Sequence, residues 1–341
     1  MILNSLSISN IIFVLYYIFD LIFIFFLYFF VFFDTYTFSM LCFYKFISIF
    51  LLLFNNFSVN FHAILRAIVK GMGVSIMQFK TEKISEHITR IHGFCTEFMY
   101  LIEGSKAAVL IDTGCGFYSL KDCIHNLTNK PLKVLITHGH VDHAMGANEF
   151  EEIYLNHKDK SVYQLHSEKG FRLEGAKGLC PEKGLIKETD MIPSAPFEKF
   201  HNLQEGDVFE LGGIHVVIYE LPGHTLGSVV MLIPEERTIL LGDACNPFLF
   251  LFDKFSTGLA SYEKNLQELQ KKTAGKYDRV LISHGNGDAK PTTLEDVIKV
   301  CQDIRSGNVT DRNFVFSGET HPLADNGTYT FICYDKKRIE E

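Results

Sequence analysis

The sequence predicts an α/β (α+β) fold in which two β-sheets pack face to face between outer helices, an αββα sandwich preceded by an apolar N-terminal extension. Three observations predict this fold. Short apolar runs alternate with helix-like segments after about residue 84. Several runs end beside a Gly, His or Asp, as strands do where the next loop carries functional side chains. Two runs, 107–112 and 238–243, are both apolar strands that end in an Asp turn, which favours two similar half-sandwiches.

Each element has its own local signal. Residues 84–109 are predicted to form the first strands, with a turn near Glu103-Gly104-Ser105. A helix is predicted from Ser119 to Leu127, because Asn129-Lys130-Pro131 would stop it. The remaining predicted elements are two helices and a strand, at 262–271, 293–304 and 328–334. Residues 77–341 can bury one large core, so we expect a single catalytic domain there.

The string Thr137–His143 (THGHVDH) carries the strongest functional signal. It places His138, His140, Asp142 and His143 within six positions, directly after an apolar run that ends at residue 136. His and Asp are usual ligands of divalent metals such as zinc, and crowding them without a cation would be costly. The string therefore predicts a metal site, with a His-rich surface turn as the alternative.

Three later residues extend this set. His224, Asp243 and His284 each lie beside a Gly, next to a short strand-like run. Glycine lets the backbone turn sharply toward a shared centre. Taken singly, a hydrogen-bonded structural His or an ordinary turn Asp explains each residue. Together with the THGHVDH string they predict one centre.

On these motifs, and on Ile111-Asp112-Thr113-Gly114, the chain resembles the metallo-β-lactamase superfamily from Met77 to Glu341. The resemblance implies two metal positions. It assigns the first ion to His138, His140 and His224, and the second to Asp142, His143 and His284. It also implies that Asp243 bridges both ions and that Asp112 is an acid kept near the site.

The identity of these residues narrows the resemblance to the glyoxalase II and lactonase-like branches. The antibiotic-hydrolysing zinc enzymes with a Cys ligand lack the bridging Asp, whereas this chain has Asp243 at that position. Flavodiiron proteins have Glu at the position that His140 occupies here. The distance from His143 to His224 is long for glyoxalase II and leaves room for an insertion near 158–199, which puts a thioester substrate in doubt. A long insertion typical of β-CASP nucleases is missing between Asp243 and His284.

The resemblance implies a metal-dependent hydrolase that attacks a small-molecule ester, lactone, thioester or phosphodiester. Two divalent cations, with zinc expected and iron or manganese as alternatives, would hold a bridging hydroxide, because coordination lowers the pKa of water to about 7. Asp142 and Asp243 are the predicted catalytic carboxylates, and Asp142 could pass a proton to the leaving group. The alternatives are a mononuclear iron persulfide dioxygenase and a non-catalytic, membrane-anchored metal-binding protein.

Composition restricts the partners and the compartment. The formal net charge of −8 disfavours nucleic-acid binding, so a small molecule is the expected partner and the oligomeric state stays open. Eight Cys without a Cys-x-x-Cys pair favour free thiols in the cytoplasm. Cys245 is interpreted as a small core residue, with an approach to the site as the alternative. His321 is interpreted as part of a surface turn, with a place at a substrate pocket as the alternative.

Residues 1–76 have a different composition, dominated by Phe, Ile, Leu and Tyr. Ile11–Phe33 is apolar apart from Asp20 and is long enough to cross a hydrocarbon core of about 30 Å. A second apolar stretch, Phe38–Phe54, is interrupted by Lys45. Asp20 at mid-span would cost about 2.5–3.5 kcal/mol on insertion scales. One interpretation is therefore a transmembrane anchor for a cytoplasmic catalytic domain.

The other interpretation is an incorrectly assigned gene start. The same residue types are those that AT-rich noncoding DNA encodes, and Met72 and Met77 are both available as starts. A cleavable signal peptide fits poorly, because the segment lacks a basic start and a small-residue cleavage site. Both interpretations stay open, and a membrane association would depend on residues 1–70.

Overall fold

The computed structural model describes residues 79–180, 186–316 and 318–341. All of them belong to one compact unit, Met77–Glu341. The predicted N-terminal segment, 1–76, lies outside the described residues, as do both of its interpretations. Among the helices described here, none has the length and apolar character needed to cross a bilayer.

The first sheet runs in chain order within the described residues. Its strands are β1 (Lys80–Lys83), β2 (Ile88–His92), β3 (Phe98–Glu103), β4 (Ala108–Ile111), β5 (Leu132–Leu135), β6 (Ile153–Leu155) and β7 (His201–Asn202). Pairing is antiparallel from β1 to β4 and parallel from β4 to β7. Helix α1 (Leu120–Leu127) makes the crossover between β4 and β5. Its N-cap Ser119 accepts a hydrogen bond from the Asp122 amide at 3.2 Å, so the predicted helix is confirmed to within one residue.

The second sheet has the strand order β14-β13-β11-β10-β9-β8. Its strands are β8 (Val208–Glu210), β9 (His215–Glu220), β10 (Val229–Ile233), β11 (Thr238–Leu240), β13 (Arg279–Leu281) and β14 (Asp288–Ala289). All five residues of β10 are buried and apolar, because both faces of this strand are covered. Val229 and Met231 pack against the first sheet, whereas Val230 and Leu232 face helices.

Helices cover both outer sides of the two sheets. Leu120 and Ile124 of α1 pack on the first sheet, together with Tyr163 of α2 (Lys160–His166). Helices α4 (Leu259–Thr273) and α5 (Thr293–Arg305) pack on the second sheet. The predicted αββα sandwich is therefore confirmed. The region near 158–199 adds α2 and α3 (Lys169–Leu179).

A third sheet of four strands, among the residues described, was not predicted as a sheet. Its order is β12-β17-β16-β15, with β12 (Phe248–Leu251), β15 (Thr310–Phe316), β16 (Glu319–Asp325) and β17 (Phe331–Tyr334). The interpretation of His321 as a surface turn was wrong, because it lies in β16 opposite Phe314. Its ring stacks on that of Phe252, with centroids 4.0 Å apart.

The two large sheets meet at the edge where the predicted ligand loops lie. These loops follow β5, β9, β11 and β13, which all end at that edge. Two backbone hydrogen bonds join the sheets there: the Val229 amide donates to the Thr137 carbonyl at 3.0 Å, and the Phe98 amide donates to the Ser283 carbonyl at 2.8 Å. The fold thus gathers loops that are distant in sequence.

Candidate metal centre

Asp112 organises the THGHVDH turn. It directly follows β4 and has a positive φ of 62°, which few non-glycine residues adopt. Its Oδ1 accepts a hydrogen bond from the Thr137 amide at 2.7 Å, and its Oδ2 accepts one from His143 Nδ1 at 2.8 Å. The second hydrogen bond orients the His143 ring so that Nε2 faces the other donors.

The first group of donors contains His138, His140 and His224. Their ligating nitrogens lie within 4.8 Å of one another. His140 Nδ1 is 3.1 Å from His138 Nε2 and 2.9 Å from His224 Nε2. Zinc–nitrogen bonds of about 2.0–2.1 Å would set tetrahedral ligand nitrogens about 3.3 Å apart, so this triangle fits a metal. His224 Nδ1 donates to the Phe250 carbonyl at 2.8 Å, which leaves Nε2 for the centre.

The second group contains Asp142, His143, Asp243 and His284, again within 4.8 Å. His284 Nε2 lies 3.2 Å from Oδ2 of both Asp142 and Asp243. His143 Nε2 lies 3.5 Å and 3.4 Å from the same two atoms. Among the described residues, His143 Nε2 and Asp243 Oδ1 are buried without a hydrogen-bond partner. Such orphaned donor and acceptor atoms fit a site built for a cation.

The two groups adjoin each other. The rings of His138 and His143 have centroids 4.1 Å apart. The position of Asp243 with His143 and His284 is compatible with the predicted bridge, and the bridge itself stays a prediction. All seven predicted ligands thus lie together at one edge of the sandwich.

The two groups differ in how their surroundings shift the pKa values of their side chains. Burial lowers the pKa of His138 and His140 well below the usual value, and neighbouring imidazoles add to this effect. Burial opposes ionisation of Asp142 and Asp243, but the imidazoles of the second group outweigh it and hold the pKa of both carboxyls well below its usual range. The first group therefore presents neutral rings at His138 and His140. The second presents two carboxylates, which in turn, despite burial, raise the pKa of His143 and His284.

Asp159 is a positioning residue that the sequence did not reveal. Its buried carboxylate accepts hydrogen bonds from the Gly139 amide at 2.8 Å, the Thr225 hydroxyl at 2.8 Å and the Gly227 amide at 2.6 Å. It therefore ties the turn that carries His138 and His140 to the loop that carries His224. A single Asp in a charged stretch gives no local signal of this role.

Arg90 and Tyr100 support the loop that carries His284. Arg90 is 3% exposed and donates to the Asn286 carbonyl at 3.2 Å and to Asp288 at 2.8 Å. The Tyr100 hydroxyl donates to the Ile282 carbonyl at 2.6 Å. Both residues come from the first sheet, so His284 is held by contacts that cross the sandwich.

A further cluster, Cys95, Glu97 and Cys115, also places its ligating atoms within 4.8 Å. Glu97 accepts hydrogen bonds from the amides of Cys95 at 2.7 Å and Cys115 at 3.3 Å, so it already serves as a clamp between two loops. The interpretation of Cys245 as a core residue is confirmed, because it is fully buried beside the second sheet and burial raises its pKa to about 12. None of the described cysteines forms a disulfide.

The fold and these donors define a class of protein: an αββα sandwich with His and Asp side chains gathered along one edge. The sequence model of the Metallo-beta-lactamase superfamily matches residues 92–284, which is more than half of the chain. The chain therefore belongs to the metallo-β-lactamase superfamily.

Individual relatives are more distant. The chain is 29% identical over 161 residues to the acyl-coenzyme A thioesterase MBLAC2 of Gallus gallus, covering 42% of this chain and 56% of that protein. It is 26% identical over 191 residues to the hydroxyacylglutathione hydrolase GloC of Haemophilus influenzae, covering 54% of this chain and 82% of that protein. The chain thus spans little more than half the length of the MBLAC2 relatives that it matches.

Among solved structures, the sec-alkylsulfatase Pisa1 from Pseudomonas sp. superposes with a TM-score of 0.52. The identity is 14%, over 67% of this chain and 42% of that chain. At this identity the likeness concerns the fold alone.

Proposed function

We propose that this protein is a hydrolase of small-molecule acyl esters and thioesters that depends on two divalent cations, with zinc as the expected metal. The observation that carries this proposal is the convergence of seven donor side chains, two of which keep buried atoms without a hydrogen-bond partner. A structural zinc site closes with four protein ligands, whereas two adjoining groups leave positions for water and substrate.

The donor groups would divide the cations between them. His138, His140 and His224 would hold one ion, and Asp142, His143 and His284 the other, with Asp243 bridging both. When bound, the ions supply Lewis acidity, which lowers the pKa of water to about 7 and polarises the substrate carbonyl.

The chain's own residues orient and move protons. Asp112 fixes His143 through Nδ1, and the Phe250 carbonyl fixes His224 in the same way. Asp142 is ionised at neutral pH, since His143 and His284 outweigh the effect of burial. We assign to its carboxylate the role of taking a proton from the attacking water and passing it to the leaving group.

The relatives guide the choice of substrate. The insertion near 158–199 put a thioester in doubt, but one relative is named a thioesterase for acyl-coenzyme A and the other a hydrolase of hydroxyacylglutathione. These names support acyl thioesters as the first substrates to test, followed by carboxyl esters, lactones and phosphodiesters.

Metal analysis and a substrate panel test the proposal together. The purified full chain is expected to contain two divalent ions per chain, to hydrolyse at least one acyl substrate, and to lose this activity on chelation and regain it with zinc. His140→Ala should lose activity, whereas His125→Ala, an exposed His on α1, should keep it. One iron per chain with oxygen uptake on glutathione persulfide would contradict the proposal, as would full activity in metal-free protein.

A further inference from the structure

The third sheet carries phenylalanines on the face turned away from the core. Leu249 and Leu251 of β12 are buried in the core, whereas the alternate residues Phe248 and Phe250 point the other way. Phe252 follows them. The sheet adds one Phe from β17 and two from β15. We call this set the aromatic face: Phe248, Phe250, Phe252, Phe314, Phe316 and Phe331.

The rings of the aromatic face form a continuous surface. Phe250 lies 5.7 Å from Phe314 and 5.1 Å from Phe316 between ring centroids, and Phe252 lies 5.8 Å from Phe316. Each ring is at least partly exposed, and Phe248 is 42% exposed. The solvent-facing side of a sheet is ordinarily polar, and a contiguous apolar patch marks a binding surface.

This surface leads directly to the candidate metal centre. The backbone carbonyl of Phe250 accepts the hydrogen bond from His224 Nδ1 at 2.8 Å, so a residue of the aromatic face directly contacts a proposed ligand. Strands β15, β16 and β17 lie beyond residue 284, where the family match ends. The outer rows of the aromatic face therefore lie outside the matched segment.

We propose that the aromatic face binds the apolar acyl chain of the substrate while the scissile carbonyl lies at the metal centre. This proposal rests on the proposed hydrolase function and specifies its substrate as a thioester with a medium or long acyl chain. The rings would remove methylene groups from water, and each fully buried methylene contributes up to about a fourfold gain in affinity.

Charges around the face favour an acyl chain over a second protein. The Arg312 guanidinium lies 5.8 Å from the centroid of the Phe331 ring and is paired with Asp325. Glu319 lies opposite Phe316 and is highly exposed. A second copy of the chain would have to bury these charges at a cost, whereas a slender acyl chain leaves them in water.

Kinetics with thioesters of one small thiol, N-acetylcysteamine, test the proposal on the metal-loaded full chain. The wild-type kcat/KM should rise at least tenfold from the acetyl to the octanoyl thioester. The double variant Phe314→Ser/Phe316→Ser should lower the octanoyl value at least fivefold and leave the acetyl value within twofold. Val315→Ser is the matched control, because Val315 lies between them on β15, is 65% exposed and points to the opposite face. The ratio of its octanoyl kcat/KM to its acetyl kcat/KM should stay within twofold of the wild-type ratio.

A binding measurement separates this proposal from the hydrolase function. The inert octyl thioether of N-acetylcysteamine should bind the wild type in calorimetry and bind the double variant at least fivefold more weakly, whether or not any thioester is hydrolysed. A thioether that does not bind the wild type, or that binds both proteins equally, would overturn the proposal. So would a flat chain-length profile in an active wild type. A double variant that changes only the oligomeric state in sedimentation, with an unchanged octanoyl-to-acetyl ratio, would assign the face to a second copy instead.

Discussion

The two donor groups of the candidate centre differ in charge. His138, His140 and His224 are three imidazoles, and burial holds the pKa of the first two well below the usual value. Asp142 and Asp243 give the other group two carboxylates, whose pKa values stay well below their usual range despite burial, because imidazoles surround them. The second group also contains His143 and His284, whose pKa values, despite burial, the neighbouring carboxylates raise. Because His138 and His140 are neutral, we call the first set the neutral group; the second set, with its two carboxylates, is the acidic group.

This difference indicates that the groups would bind a cation for different physical reasons. The neutral group depends on the geometry of three converging nitrogens, so loss of one ring removes a third of its donors. The acidic group depends on charge, so replacing a carboxylate by an amide keeps its shape and removes its attraction for a dication. Substitutions that alter geometry or charge alone can therefore test the comparison.

The largest effect is expected from truncation in the neutral group. His138→Ala, His140→Ala and His224→Ala should each lower kcat/KM on the order of a thousandfold and reduce the metal content, because too few donors remain. Elemental analysis and steady-state kinetics measure both quantities. Normal activity with metal still bound in His224→Ala would reject the assignment.

Asp243→Asn tests the acidic group by charge alone. A bridging carboxylate offsets the repulsion between two dications, so the variant should lose the second ion preferentially. Titration of the metal-free variant should then give about one ion per chain rather than two. Two ions retained with unchanged affinity would disprove the bridging role of Asp243.

Asp112→Asn should have a smaller and more selective effect. It weakens the hydrogen bond that orients His143, and loss of such a partner typically costs about 10–100-fold in metal affinity. Competition with a chelator should therefore show weaker binding of one ion and little change for the other. Equal weakening of both ions would mean that Asp112 acts on the whole loop rather than on His143.

Asp159→Asn should have the smallest effect on turnover, at about tenfold. The amide cannot accept all three hydrogen bonds that hold Gly139, Thr225 and Gly227, and each lost bond to a charged group costs about 1.5–3 kcal/mol. The melting temperature should therefore fall, while the amount of bound metal stays at the wild-type level. A metal content that falls as far as in His224→Ala would place Asp159 among the ligands.

The elements that could be predicted from the sequence are those with local signals. The THGHVDH string and the glycines beside His224, Asp243 and His284 marked the donor loops, and these loops do meet. Ser119 and the Asn129-Lys130-Pro131 stop marked α1 because capping and termination act within a few residues.

The features that were missed depend on contacts between distant parts of the chain. Strand β12 pairs with β17, with Phe248 opposite Phe331, and no local pattern specifies a parallel partner so far away. The same holds for Arg90, whose partner Asp288 lies 198 positions later. His321 was misplaced for this reason, since only the pairing of β15 with β16 makes its position a strand.

The candidate centre lies at the junction of the two sheets. Backbone hydrogen bonds join the sheets there, between Val229 and Thr137 and between Phe98 and Ser283. A ligand that binds this junction only in the folded state stabilises the folded chain by mass action. The gain is about 4 kcal/mol when the free ligand concentration is about a thousand times the dissociation constant. Cation supply would then act on how much folded protein persists as well as on turnover. A melting temperature that rises with the logarithm of free zinc would report this linkage, and one that does not respond to zinc would exclude it. When the metal is scarce, a larger fraction of the chain would therefore unfold.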